Sequence, residues 1–401
     1  MFYKNNFFKY FNYKSKNFSQ NIKKTKKTFN ELEYDLKNSN IPLLESYQKN
    51  YEFDFSFNLI KRFNKYKEVV VVGMGGSILG TKSIYSFLKK KIKKKVYFFD
   101  NLDENLFLNQ IKILKNPCFI VVSKSGDTLE TITNMGVIYS KKTLRNKLII
   151  ITETNGGVLS NIANKLNANV VEHKNFISGR YSVLSESGML PAALMGLNIK
   201  KFKNLNILMK NKKFISSLIH NVASIYTLNK QRMNNSIILN YDSNLNDLSL
   251  WYQQLVGESL GKKGKGINPI LSSAPKDHHS VLQLYLDGPK DKFFTFFESI
   301  NKKSNYKAAS QIIPNSMKFI KNKNINFIIK AQSDAVKKIF FKDKIPFRQF
   351  LFNKKNEEEL GVIFTFFVLE TILLARLMRI NPFDQPAIEK VKAETKRILS
   401  K

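Results

Sequence analysis

The sequence predicts an α/β protein of two doubly wound, parallel-sheet lobes closed by carboxy-terminal helices. Three observations carry this. Short β-branched runs such as residues 68–72 (EVVVV) and 148–152 (LIIIT) lack polar alternation, the pattern of strands buried on both faces. Stretches with helical spacing separate them, the rhythm of a parallel sheet with crossover helices. That rhythm restarts after a helical stretch around residues 202–229, and 401 residues suit about two domains.

The elements follow in order. Residues 1–40 read as a polar, basic extension, 41–200 as the first α/β domain and 201–401 as the second. In the first domain, strands are expected at 68–72, 96–100, 119–123, 148–152 and 170–172, with helices at 78–91 and 128–142 among those between them. In the second, strands are expected at 236–241, 268–273 and 293–297, a helix at 245–260 and another from His279 to Leu286. A long helix runs from about Glu357 to Met378, and Asn381-Pro382 breaks it. A last helix is expected from about Pro386, where proline suits a first turn and Asp384 could cap.

Composition narrows the function. Lys+Arg 66 against Asp+Glu 31 gives a net charge of +35, but the excess is scattered lysine in a chain also rich in Asn, Ile, Phe and Tyr, as A/T-heavy codons would produce. No module interleaves basic and aromatic residues at fixed spacing, so neither a specific nucleic-acid partner nor a membrane partner is expected. The single Cys118 excludes a disulfide framework and a cysteine-based zinc site, and four histidines leave little for a metal centre. No metal or other cofactor is expected. The first twenty residues lack the apolar core of a signal peptide, and no arginine occurs before Arg62 to suggest a transit peptide. The apolar stretch 360–377 is interrupted by Glu370 and Arg376, so a buried core helix is expected there and a cytoplasmic location for the chain.

Two strand–helix turns carry chemistry. In VVVVGMGGSILG, Gly76 and Ser77 open a helix directly after a strand, where backbone N–H groups can approach an anion. The turn lacks the full spacing and acidic partner of a dinucleotide fingerprint. In SKSGDTLET, the hydroxyls of Ser123, Ser125 and Thr128 gather with Lys124 at a strand's carboxyl end, a phosphate cradle in an open α/β sheet. Two such turns in neighbouring units point to one crevice.

In order along the chain, GMGGSILG, SKSGDTLET, SGRYS, QLVGESLGK, DHHSVLQLYLDGP and NPFDQPAIEKVK resemble the glucose-6-phosphate isomerase family. The phosphate turn is shared with the wider sugar-isomerase (SIS) superfamily, so the resemblance makes both domains SIS-type. It spans about residues 69–396. It implies reversible conversion of D-glucose 6-phosphate to D-fructose 6-phosphate by ring opening and proton transfer through a cis-enediol, a step of glycolysis and gluconeogenesis. Glu258 matches the family's base, and a carboxylate suits a proton shuttle next to a carbon acid. Arg180 matches the arginine that faces the enediolate, where a guanidinium stabilises charge as it develops. His279, rather than its neighbour His278, fits the ring-opening histidine's frame, and Lys392 matches a lysine that assists it. Gln254, one helical turn before Glu258, and Gln385 and Gly179 match sugar-contacting positions. The phosphate falls to Ser123, Lys124, Ser125 and Thr128, with Gly76 and Ser77 beside them. In the family the histidine comes from a second subunit, which implies a homodimer with composite sites.

One position departs from the family: Asp127 stands where threonine is common. Its carboxylate is expected to turn outward onto helix N–H groups, because inside the cradle it would repel a phosphate. Two alternatives remain: an isomerase of mannose or amino-sugar phosphates, and a non-enzymatic sugar-phosphate-binding SIS protein. The intact Glu258 and His279 frames argue against both.

Overall fold

A computed structural model describes residues 2–5, 7–10, 16–154, 157–300 and 304–401, without the side chains of residues 2–5, 8 and 9. Ten strands form two five-stranded sheets. They are β1 (Phe2–Asn5), β2 (Glu68–Gly73), β3 (Lys95–Phe99), β4 (Pro117–Val122), β5 (Leu148–Thr152), β6 (Asn169–Glu172), β7 (Asn235–Asn240), β8 (Asn268–Ser273), β9 (Lys292–Ser299) and β10 (Phe347–Phe352).

The first sheet has the order β3-β2-β4-β5-β6, all parallel. The second, β8-β7-β9-β10-β1, repeats it strand for strand until its last member. There β1, from the amino terminus, pairs antiparallel with β10, Phe2 opposite Leu351. In both sheets the chain leaves the two middle strands in opposite directions. The crevice at the carboxyl ends of β2 and β4, and that at β7 and β9, are therefore equivalent places where such sheets take ligands.

Alternation along the strands distributes the core. Val69, Val71, Ile120 and Ile149 of the first sheet, and Ile238, Phe297 and Phe350 of the second, join one large apolar cluster between the sheets. Val70, Val72, Val121 and Ile150 face the opposite way, onto Met135 and Ile138 of the helix Leu129–Lys141. Ile237, Leu239, Phe294 and Phe296 do the same in the second lobe, under Val336 and Phe340 of the helix Ile325–Lys342. Nonpolar residues on both faces are what a covered parallel sheet requires.

The long apolar helix Glu357–Met378 lies within the shared core, as its sequence suggests, and packs against Lys212–Lys230 and Asn246–Leu260. It also contacts the helix Lys16–Lys37, which the sequence reads as part of a basic extension. Phe18, Phe29 and Leu32 of that helix are buried, so this segment is part of the second lobe's packing.

Two elements differ from expectation near the site. His279 ends a 3-10 turn, Lys276–His279, and the helix proper begins at Leu282. The last helix is Ile388–Leu399, and Asp384 does not cap it. The ammonium of Lys262 holds the Asp384 carboxylate at 2.7 Å instead, and an ion pair competes well with an N-cap.

Candidate active site

Arg180 organises the site. It lies in the 3-10 turn Gly179–Leu184 and is 2% exposed, so each of its donors needs a partner within the protein. Nε donates to Ser259 Oγ at 3.0 Å, and one terminal nitrogen donates to Glu258 Oε2 and Gln385 Oε1, both at 3.2 Å. The other donates to the carbonyls of Pro382 at 2.7 Å and Asp384 at 3.0 Å. A single guanidinium thus gathers the carboxylate of the helix Asn246–Leu260 and the segment before the last helix.

Glu258 keeps one oxygen for other partners. Gln254 Nε2 donates to its Oε1 at 3.2 Å, one helical turn earlier on the same face. Gln254 Oε1 is buried without a partner. Glu258 remains about a quarter exposed, so its carboxylate is open to solvent.

The glycines after β2 make this assembly possible. Gly75 has φ +52°, and a Cβ there would meet Gln254 Nε2 at 2.8 Å. A Cβ on Gly76 would lie 2.2 Å from the Gly179 carbonyl carbon. The glycine-rich turn therefore packs against the Arg180 turn and the Glu258 helix. The half-buried Ser77 follows in the first turn of the helix Gly76–Leu88.

The cradle sits one strand away, where β4 pairs with β2, Gly73 opposite Val122. Ser123 Oγ and Thr128 Oγ1 lie 2.8 Å apart, so Thr128 bonds across the turn and does not cap its helix. Ser125 is exposed at the rim, and its hydroxyl accepts from the Asp127 N–H at 3.3 Å. Asp127 points away, as expected: its Oδ1 accepts from the N–H of Val158, opening the helix Val158–Leu166, at 2.9 Å. The carboxylate meets that helix's positive end.

Lys124 lies apart from these hydroxyls. Its ammonium donates to the Asn175 carbonyl at 2.7 Å and pairs with Glu153 at 3.5 Å.

Within this fold and geometry, the phosphoglucose isomerase family model matches residues 60–401. A Methanocaldococcus jannaschii protein named glucose-6-phosphate isomerase is 34% identical over 361 residues, spanning 85% of this chain and 86% of that one. The chain belongs to the phosphoglucose isomerase family. Two solved structures share its fold. A hypothetical protein from Thermus thermophilus has a TM-score of 0.75 at 22% identity, covering 86% of this chain and 87% of that one. A glucose-6-phosphate isomerase from Chlamydia trachomatis has a TM-score of 0.71 at 16% identity, covering 86% of this chain and 72% of that one.

The remaining residues expected at the site, His279 and Lys392, stand on the surface. His279 is exposed at the end of its 3-10 turn. His278, half-buried beside it, is committed elsewhere: its Nε2 lies 2.8 Å from the Tyr241 hydroxyl, and burial, with His279 close by, lowers its pKa. That contact separates the doublet, leaving His279 the available imidazole. Lys392 is exposed and pairs with Glu389 at 2.8 Å within the last helix. Neither residue contacts Glu258 or Arg180 within the chain.

Three supporting residues escape a reading from sequence. Tyr181 is buried, its hydroxyl 2.9 Å from Ser259 Oγ and 3.2 Å from the Pro382 carbonyl to which it donates. Ser259 and Tyr181 each directly follow a chemical residue within the quoted motifs, the one signal that could have found them. Lys262 donates to the carbonyls of Asn381 and Asp384, each at 2.6 Å, tying down the segment that presents Gln385. Among the described residues, no group of three or more His, Cys, Asp or Glu is placed to hold a metal ion.

Next to Lys124, His173 follows β6. It is 1% exposed and its Nε2 has no partner. Burial, helped by the Lys124 charge, lowers its pKa from 6.5 to about 4. The folded chain therefore holds it neutral between pH 6.5 and 4, while the unfolded chain protonates it. Stability should fall with pH across that window, by at most about 3 kcal/mol at about 1.4 kcal/mol per unit. Denaturant midpoints at about pH 7 and about pH 4.5, near the two ends of the window, should diverge less in His173→Gln. An unchanged divergence would assign the acid sensitivity to other groups.

Proposed function

We propose that the chain catalyses the reversible conversion of D-glucose 6-phosphate to D-fructose 6-phosphate. The observation that carries this is the Arg180–Glu258 pair, flanked by Gln254 and Gln385 and one strand from a hydroxyl-lined turn, in a chain of this family.

The substrate phosphate binds at Ser123, Ser125 and Thr128, with backbone N–H groups of the turn favouring the dianion and Lys124 joining once it leaves the Asn175 carbonyl and Glu153. The sugar then extends toward Glu258. His279, assisted by Lys392, takes the anomeric hydroxyl proton and returns a proton to the ring oxygen as the C1–O5 bond breaks. Glu258 removes the C2 proton, and the electron pair moves into a C1–C2 double bond with charge on O1. Arg180 already faces Glu258, so its terminal nitrogen can share its hydrogen bond with the developing enediolate without rearranging. O1 gains a proton while O2 gives one up. The carboxylic acid then delivers its proton to C1, leaving the carbonyl at C2.

The exposure of His279 and Lys392 supports a homodimer in which a second copy brings His279 to the site. The place of action is the cytoplasm, where glycolysis and gluconeogenesis use this step. A coupled assay of fructose 6-phosphate conversion, run beside mannose 6-phosphate with chelator present, tests the reading. Turnover confined to the glucose–fructose pair is expected. Binding of sugar phosphate without turnover would leave a sugar-phosphate-binding protein in its place.

A further inference from the structure

The second lobe holds a crevice with the same topological address as the cradle. β7 and β9 correspond to β2 and β4, and the helix Ile325–Lys342 follows β9 as Leu129–Lys141 follows β4. In the first lobe, residues 123–128 bridge strand and helix tightly. In the second, residues 300–324 separate β9 from its helix, and a cavity of about 520 Å³ lies at the strand ends. Tyr241 just after β7, Ser299 at the end of β9, Gln349 of β10 and Asn324 at the helix start supply hydroxyls and amides to its wall. Phe327, 54% exposed, supplies a ring.

The charges of this wall are already paired with one another. Lys337 holds both oxygens of Glu298 at 2.9 Å and reaches Asp334 at 3.0 Å, and Lys330 pairs with Asp334. Glu298 also accepts from Ser333 and Gln349. A phosphate entering here would meet two carboxylates whose counter-ions it must strip away. No glycine turn offers it N–H groups as at residues 123–128. Neutral hydroxyl and amide groups around an apolar ring instead match a molecule with hydroxyls on its edges and C–H groups on its face.

We propose that this cavity is a second ligand site, for an uncharged polyhydroxylated molecule such as a free sugar or cyclic polyol. It is independent of the reaction proposed above. Tyr241 makes its occupancy visible: the residue lines the cavity, donates or accepts at His278 Nε2 at 2.8 Å, and packs its ring on that imidazole, centroids 5.6 Å apart.

The chain has four histidines, so the full-length protein labelled with ¹⁵N at histidine gives few imidazole signals. Titration with myo-inositol, which no aldose–ketose chemistry consumes, should move the His278 signal saturably, with a midpoint on the order of millimolar for so small a ligand. The His173 and His220 signals should stay still. Phe327→Ala should weaken the response at least tenfold and leave hexose-phosphate turnover unchanged. No shift by about 50 mM, well above that midpoint, would overturn the site. So would a shift that Phe327→Ala leaves intact, since the ligand would then sit elsewhere. If inorganic phosphate produced the same Phe327-dependent shift at lower concentration, the ligand class would be wrong.

Discussion

Glu258→Gln should cut interconversion of the hexose phosphates by about 10²–10⁴-fold, the usual worth of a positioned general base, and leave sugar-phosphate binding within a few-fold. The change removes the proton acceptor and keeps the shape. Arg180 stays in place because its contacts to Ser259 Oγ, Gln385 and the carbonyls of Pro382 and Asp384 do not involve the carboxylate. The amide oxygen can still accept from the guanidinium, and loss of a negative charge favours an anionic substrate. Turnover should therefore collapse in kcat, with KM little changed, the signature of an interaction made in the transition state. A variant with near-normal kcat would show that another group moves the proton. The same variant tests the composite site. Mixed in equal amounts with a His279→Ala chain and allowed to exchange, it should recover about a quarter of wild-type activity, since in the proposed homodimer half the pairs are mixed and each holds one intact site. Recovery of nothing would place His279 and Glu258 of one site in the same subunit.

Much of the architecture is legible because each lobe's buried strands are written in one chemistry. EVVVV, LIIIT and the FFTFF run of β9 have no polar face, and the turns after β2 and β4 carry glycine and hydroxyls where strand meets helix. Three elements are hidden for the opposite reason. The helix Lys16–Lys37 buries Asn21, Thr25 and Thr28 alongside its apolar residues, so no continuous apolar stripe marks it. β10 places Arg348 at a fully buried position, where a charge argues against a strand. The helix Ile325–Lys342 leaves Ile325, Phe327, Ile339 and Phe341 largely exposed, which blurs its period.

The site divides in the same way. Its turns are local, and their residue types announce an anion. The meeting of Arg180 and Glu258 spans 78 residues of sequence and rests on family resemblance until the fold brings them within 3.2 Å. What the sequence does not convey is the backbone that this meeting requires: Gly75 and Gly76 leave room for Gln254 and for the Arg180 turn, a role distinct from holding phosphate. Asp127 is the converse case. Its carboxylate looks out of place in a cradle, and the helix start at Val158 accounts for it.

Arg348→Met should cost about 3–5 kcal/mol of stability, the largest effect expected outside the site. Arg348 and Glu370 are both fully buried. The guanidinium reaches Glu370 through two nitrogens, at 2.5 and 3.3 Å, and also donates to Thr295 Oγ1 at 2.8 Å, Asn221 Oδ1 at 2.9 Å and the Tyr252 hydroxyl at 3.0 Å. It thereby joins β10 and β9 to the helices Lys212–Lys230, Asn246–Leu260 and Glu357–Met378. Removing it leaves a carboxylate in an apolar core with, among the described residues, Asn221 and Tyr252 as its remaining donors. A charge so stranded either stays desolvated at a cost to stability or takes up a proton. Arg348→Met with Glu370→Met removes both charges, and the double change should recover most of the loss, because a buried pair often does little better than apolar groups of the same size. Guanidinium midpoints at constant m-value measure each step. Since Tyr252 lies on the helix that carries Gln254 and Glu258, the single variant should also lose activity in parallel with stability, and the double variant should regain both. A single variant as stable as the parent would mean that the ion pair is not closed in the folded chain. A double variant that stays as far below the parent as the single one would mean that the pair contributes net attraction beyond its desolvation cost.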